Sequence, residues 1–241
     1  MSVLERAVVL PTLAFTTAWS MLDLGRPPAV LGTDTQFWVA DTARRELEAA
    51  TLQLLAGHGL ARKNQLNELW RATLQVIDAA EREYYAWSGR NDGTHQAALV
   101  ALRGEDAVRL LVTDTNVEVR PLPVKWPATS LYDTLPDVPG ARVRTVTVPV
   151  PDAETASDPF ADHTDEDYLR QMTARPQDAV HQLYTARRAD GVRSRSLPVT
   201  ALDLTGHGRV LVYRTGDDQI VLKPGPPSEV VRTLNATHEA L

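Results

Sequence analysis

Short apolar runs separated by tight turns occur in the same order twice in this chain. Ala98–Leu135 reads "ALVALRGEDAVRLLVTDTNVEVRPLPVKWPATSLYDTL", and Val199–Leu234 reads "VTALDLTGHGRVLVYRTGDDQIVLKPGPPSEVVRTL". Each is strand, turn, strand, turn, strand, and then a helix started by proline. Arg109–Val112 aligns with Arg209–Val212, Arg120-Pro121 with Lys223-Pro224, and Thr134-Leu135 with Thr233-Leu234. Connections this short can join only antiparallel neighbours, because a parallel pair needs a long crossover. A repeated unit of this kind predicts two similar sheet-plus-helix halves related by a pseudo-twofold.

The residues before the first repeat have helical spacing. Thr12 can cap a helix whose apolar positions are Phe15, Ala18, Trp19 and Leu22, stopped by Gly25 and Pro27. A second helix is predicted from Asp41 to Ala56, ending in "GHGL", a glycine cap followed by an apolar contact. A third, from Gln65 to Ala80, carries the stripe Leu66, Leu69, Trp70, Thr73, Leu74 and Ile77. A strand is expected at Val3–Leu10, and three one-sided helices need one sheet face to cover. "EREYYAW" and "HQAALVAL" begin the strand series, and "VRTVTVPV" adds another before the second half.

Between the halves, Asp152–Asp167 holds seven carboxylates and no Lys or Arg. That composition predicts a flexible acidic linker leading into a short helix over Asp165–Ala174. The expected organisation is a single domain over 1–241. Its pseudo-repeat halves, about 1–150 and 175–241, are joined by the acidic segment and helix at 151–174. The fold class is α+β, a central mainly antiparallel sheet built from two quasi-twofold-related halves and flanked by helices.

Composition removes several chemistries. Without cysteine there is no disulfide framework, thiolate zinc site or cysteine nucleophile. A formal net charge of −6 argues against a general nucleic-acid footprint. No run reaches the ~20 apolar residues that span a bilayer, and "MSVLERAVVLPTLAF" lacks the pattern of a secretory leader. A cytoplasmic, unanchored protein is expected. The six histidines have no HxxxH or HExxH spacing. Asp162, His163 and Asp165 are the best metal candidate, and Thr164 as a helix cap with Asp167 in the first turn is the simpler reading. "TGHGR" sits between two strands, where a hairpin turn is expected instead of a phosphate loop. No catalytic residue, cofactor or metal is assigned. Arg187, Arg188, Arg193 and Arg195 form a basic hairpin, either a solvated face or a grip for an acidic or nucleic-acid ligand.

The run "AFTTAWSMLDLGRPPAVL", then "ELEAATLQLLAGHGL", "ALVALRGEDAVRLLV" and "VEVRPLP", and finally "GRVLVYRTGDDQIVLKPGPPSEVVRTL", resembles the EspG family of ESX (type VII) secretion-associated proteins of actinobacteria. The most specific pieces are the Trp19 helix with its "LGxPP" and the "GRxLV" hairpin leading to a proline-rich turn and the last helix. The acidic stretch is the least typical part. The resemblance implies a cytoplasmic chaperone, not an enzyme. It would bind the helical tip of a PPE protein within a PE-PPE heterodimer, keep it soluble and direct it to one ESX system. It also implies interface residues in the Ser88–Thr94 loop, with Trp87, Arg90 and Asn91, and around Phe160, Tyr168, Leu169 and Met172. For the loop the alternative is an ordinary turn, and for the second group it is packing on the sheet. A docking surface left free can pair with a second copy of the chain, giving a homodimer. The rival reading is a non-catalytic sheet-based binding or regulatory module that engages an acidic or nucleic-acid ligand through the Arg187–Arg195 hairpin.

Overall fold

In the computed structural model of the chain, residues 3–32, 41–150 and 164–241 are described. The first part of the chain runs β1 (Val8–Pro11), α1 (Thr12–Met21), a 3-10 turn (Ala29–Leu31), α2 (Asp41–Gly57), β2 (Ala61–Arg62), β3 (Gln65–Leu66) and α3 (Glu68–Asp78). Four strands follow, β4 (Arg82–Arg90), β5 (His95–Arg103), β6 (Asp106–Val112) and β7 (Asn116–Leu122), then α4 (Pro127–Tyr132) and β8 (Val146–Pro149). The chain continues with α5 (Thr164–Thr173), β9 (Gln177–Ala189), β10 (Val192–Arg195), β11 (Val199–Leu204), β12 (Gly208–Arg214), β13 (Gln219–Pro224) and α6 (Pro227–Glu239).

Eleven of the strands form one sheet in the order β1-β7-β6-β5-β4-β9-β11-β12-β13-β8, with β10 added beside β9. Every ladder between these strands is antiparallel. The middle of the sheet is the β4–β9 ladder, where Tyr85 faces Tyr184. A half-turn about that point exchanges β4 with β9, β5 with β11, β6 with β12, β7 with β13 and β1 with β8. It also exchanges the proline-started helices α4 and α6, which pack on each other. This is the expected α+β architecture. Both outer strands end in proline, Pro11 and Pro149, which cannot donate to a further strand and so guards the edges.

Two details differ from the sequence reading. Val146–Pro149, expected with the first half, pairs with β13 and forms the outer edge of the second. The residue alignment also slips: Arg109 stands opposite Arg120, whereas Lys223 stands opposite Leu211, not Arg209. A slip of two keeps every side chain on its own face, so a period-two pattern cannot reveal it.

Local chemistry explains the element ends. Gly59 is left-handed (φ 75°), and the Leu60 amide donates to the Leu55 carbonyl at 2.8 Å, closing α2 with an apolar contact as expected. The third helix starts at Glu68, not Gln65, because Lys63 and Asn64 both take positive φ and fold Ala61–Leu66 into a two-residue hairpin. Asn67 then caps α3 by accepting from the Trp70 amide. The first strand is shorter than expected, since the Leu4 amide donates to Thr73 Oγ1 on α3 and not to a strand.

Apolar side chains separate onto two sheet faces. On one, Phe15, Trp19, Trp70 and Leu74 pack with Leu99, Ala101, Val108 and Leu110, Phe15 lying 6.1 Å from Trp19 and 6.0 Å from Trp70. On the other, Leu131 of α4 and Val230 and Leu234 of α6 cover Val100, Leu102, Leu183, Ala201 and Leu211. Helix α5 lies on the first face but over the far edge, where Met172 meets Val146 and Leu222. Between the 3-10 turn and α5, Ala141 and Val143 cover Leu202, Leu204 and Val210 of β11 and β12, while Trp87, Gln182 and Tyr184 of β4 and β9 keep open surface at the middle of this face.

Candidate partner-binding face

Strand alternation puts Tyr85 and Trp87 on the first face of β4, and pairing brings Tyr184 of β9 opposite Tyr85. The Tyr85 and Tyr184 rings stack at 5.2 Å, and the Trp87 ring meets both edge-on at 5.3 and 5.4 Å. Tyr85 is buried, while Trp87 and Tyr184 keep part of their surface open. Beside them Gln182 is exposed on the same face. Two hollows meet at Trp87 and Val30. One, of about 480 Å³, runs towards Gly89, His95, Val180 and Gln182, and the other, of about 340 Å³, runs towards Tyr85, Arg188, Arg193 and Arg195. Half-covered aromatic surface of this kind suits a protein partner, since such rings bury large area at little entropic cost.

The turn after β4 is pinned from two sides. The Arg90 amide donates to the Thr94 carbonyl at 3.0 Å, and Asp92 accepts from the Thr94 amide and hydroxyl at 2.9 and 2.6 Å. Those bonds hold the exposed Asp92 carboxyl below its ordinary range. The Asn91 amide donates to the Asp178 carbonyl at 2.9 Å, while the Arg90 guanidinium lies 3.6 Å from Asp92 and stays exposed. Asp178 is the extra residue of a bulge on β9, since Leu204 pairs with Gln177 and Asp203 with Ala179. The bulge turns its carboxylate outwards, where Thr205 Oγ1 donates to it at 2.7 Å. Sequence reasoning missed Asp178, because a bulge leaves no mark on the alternation until its partner strand is known.

Behind the turn a polar chain runs inwards from the half-buried Ser88, and the sequence reading missed it too. Ser88 Oγ is 2.8 Å from His181 Nδ1, and His181 Nε2 is 3.1 Å from Asp203 Oδ2. Arg209 grips Asp203 with two bonds, Nε to Oδ1 at 2.6 Å and Nη2 to Oδ2 at 2.9 Å, and also donates to the Pro136 carbonyl at 3.0 Å. His181 and Arg209 are fully buried and Asp203 is 3% exposed. Burial alone would raise the Asp203 pKa, but bonds from His181 and Arg209, with the Arg209 charge, hold it below the usual carboxylate range. The four residues come from β4, β9, β11 and β12, so the chain ties the central strands together. A carboxylate gripped bidentately by a guanidinium is a fixed ion pair, and Ser88 lies inside two ladders, so the arrangement reads as a brace.

Three glycines let backbone close around Arg209. The Arg209 amide donates to the Pro139 carbonyl, and its own carbonyl accepts from the Ala141 and Gly225 amides. A Cβ on Gly208 would stand 2.5 Å from the Pro139 oxygen, one on Gly225 2.8 Å from Arg209 Cγ, and one on Gly140 2.7 Å from Pro226 Cδ. The "GRxLV" and proline-rich pieces singled out in the sequence are thus two walls of one hub.

The proposed interface residues do not share one place. Trp87, Arg90 and Asn91 lie along β4 and its turn. Tyr168, Leu169 and Met172 lie on α5 above β8 and β13. Met172 is 4% exposed and holds the helix on the sheet, whereas Tyr168 and Leu169 are half-buried. The Tyr168 ring lies 4.4 Å from the Arg144 guanidinium and its hydroxyl accepts from the Arg144 amide. Phe160, Asp162 and His163 lie outside the described residues. Asp165 is paired with Arg144 at 2.5 Å, and among the described residues no group of three His, Asp or Glu side chains is placed to hold a metal. Among the same residues no helix is long and apolar enough to cross a membrane.

Comparison with known proteins adds two findings. A family model described as the EspG family matches residues 11–236. A solved structure titled as the Mycobacterium tuberculosis type VII secretion system chaperone EspG5 in complex with a PE25-PPE41 dimer superposes with a TM-score of 0.70. It is 16% identical and covers 96% of this chain and 96% of that one. No curated protein matches in sequence.

Proposed function

The chain belongs to the EspG family, and on that premise we propose that it is a chaperone of type VII secretion. It holds a PE-PPE heterodimer in the cytoplasm, caps the helical tip of the PPE chain and directs the pair to one ESX system, transforming no molecule. The whole chain, 1–241, acts as one platform. The likeness in fold to EspG5, solved with its PE25-PPE41 dimer, supports this. The observation that carries the reading is the uncovered middle of the first sheet face, where Trp87 and Tyr184 keep open ring surface between two hollows. An apolar helical tip left in water aggregates. A rigid, half-aromatic sheet face can cover it, with the Ser88–Thr94 turn and the half-buried Tyr168 and Leu169 of α5 at the rim.

Co-expression with a PE-PPE pair from the same genome tests it. A soluble complex with one copy of each chain is expected. If every such pair stays insoluble or elutes apart from the chain, the reading is wrong. Turnover of any substrate by the purified protein would overturn the non-catalytic part.

A further inference from the structure

The hollow beside the β9–β10 hairpin is lined by arginines and aromatic rings together. In a chain of formal charge −6, strand alternation places Arg188, Arg193 and Arg195 together on the first face, around an aromatic floor. Asp190 and Gly191, both at positive φ, make the tight turn that folds β10 back and sets these side chains side by side. Arg193 is already neutralised. It donates to Glu83 through Nε at 2.9 Å and Nη2 at 2.5 Å and lies 5.6 Å from the Tyr85 ring. Arg195 leans over Tyr184 at 5.9 Å. Neither Arg195 nor Arg188 pairs with a carboxylate among the described residues, and both are exposed. Pro27 and Pro28 form the facing wall, with Arg26, and Asp78 also lines the space.

We propose that this hollow receives an acidic segment of the client, with carboxylates on either side of an apolar or aromatic residue that stacks against Tyr85, Trp87 and Tyr184. The proposal rests on the chaperone reading and names the chemistry of its partner. Charge complementarity is the argument. Two unpaired guanidiniums, planar and preset for carboxylate, flank a ring surface, and Glu83 fixes the third so that it shapes the wall. A nucleic acid fits less well, because it is held by neutralising many phosphates and only two arginines here are free to do so. The Arg-rich end would thereby discriminate among clients whose apolar tips are alike.

The test uses the full chain and a fluorescein-labelled peptide, Gly-Glu-Glu-Tyr-Glu-Glu-Gly, followed by anisotropy. Its Gln analogue and a single-stranded DNA oligonucleotide of equal charge serve as competitors. Saturable binding that weakens with salt, and at least about tenfold weaker binding to Arg188→Glu/Arg195→Glu with unchanged thermal unfolding, is expected. Equal binding of the Gln analogue, a variant within about twofold of the parent, or tighter binding of the oligonucleotide overturns the proposal. Capture of a PE-PPE pair is measured alongside. If the parent and the charge-reversed variant capture the pair equally, the proposal fails and the chaperone reading stands. If the parent captures no pair, the chaperone reading fails, and with it the client as occupant, while the peptide result still reports the chemistry of the hollow.

Discussion

Replacing Asp203 with Asn keeps the size of the side chain and one acceptor oxygen but removes the charge that neutralises Arg209. Arg209 is fully buried, and its Nη1 has no hydrogen-bond partner in the structure. The bidentate carboxylate at 2.6 and 2.9 Å is the counter-charge bound to it. Breaking a buried pair from one side costs about 3–5 kcal/mol, because the remaining ion is left desolvated. For a chain of this size each kcal/mol moves the midpoint by roughly 2–4 °C, so Asp203→Asn should lower Tm by about 6–20 °C in far-UV circular dichroism. The double variant Asp203→Asn/Arg209→Met should recover much of that loss, since no unpaired charge stays buried. The pH dependence has a definite sign. The folded-state pKa of Asp203 is depressed, so its contribution is complete above the unfolded carboxylate range, near ~3.9, and is lost as pH falls through the lower folded value. The variant should therefore lose part of the acid-side slope of stability. A drop in Tm under about 2 °C, or a double variant no better than the single, would refute the claim that this pair braces the sheet.

Gly208→Ala should destabilise by on the order of 1–3 kcal/mol in urea unfolding, because φ is 93° and a Cβ would meet the Pro139 oxygen. Glu229 bonds first to Arg232 and also to Lys223, which outweigh its partial burial and hold its pKa at about 2. Glu229→Gln should cost under ~1 kcal/mol at neutral pH, given the screening of a partly exposed pair. That difference should be fully present above ~4.3 and vanish as pH falls towards the folded value. Arg90→Glu/Asn91→Glu should weaken capture of a PE-PPE pair in a pull-down while shifting stability by less than ~0.5 kcal/mol, since the turn keeps its backbone bonds to Thr94 and Asp178. Unimpaired capture would remove that turn from the interface.

Features specified within a few residues could be read from the sequence. The Asp190-Gly191 turn, the glycine cap after α2 and the proline-started helices are local, and the two hairpin series gave the antiparallel sheet and its duplication. What depended on which strands meet could not be read in the same way. Val146–Pro149 looked like the end of the first half, yet its neighbour is β13. The Lys63–Asn64 hairpin was hidden because Leu66 and Leu69 continue the helical stripe through it. At the candidate site, the family resemblance pointed to Trp87 and the Ser88–Thr94 turn, whereas Tyr184 joins Trp87 only through the β4–β9 ladder. Ser88, His181, Asp203 and Arg209 are scattered along the chain, and a buried brace has no spacing to search for. His181 and Asp203 are single polar positions within strands, and only pairing with β4 and β12 shows what they hold.

A photo-reactive residue in place of the exposed Gln182, between the two hollows on the first sheet face, would locate the client most directly. The same group in place of Arg232, on α6 and the opposite face, serves as the comparison. With a PE-PPE pair bound, cross-linking of position 182 to the PPE chain and little from position 232 is the expected result. Cross-links from position 232 alone would place the client behind the sheet and contradict the account.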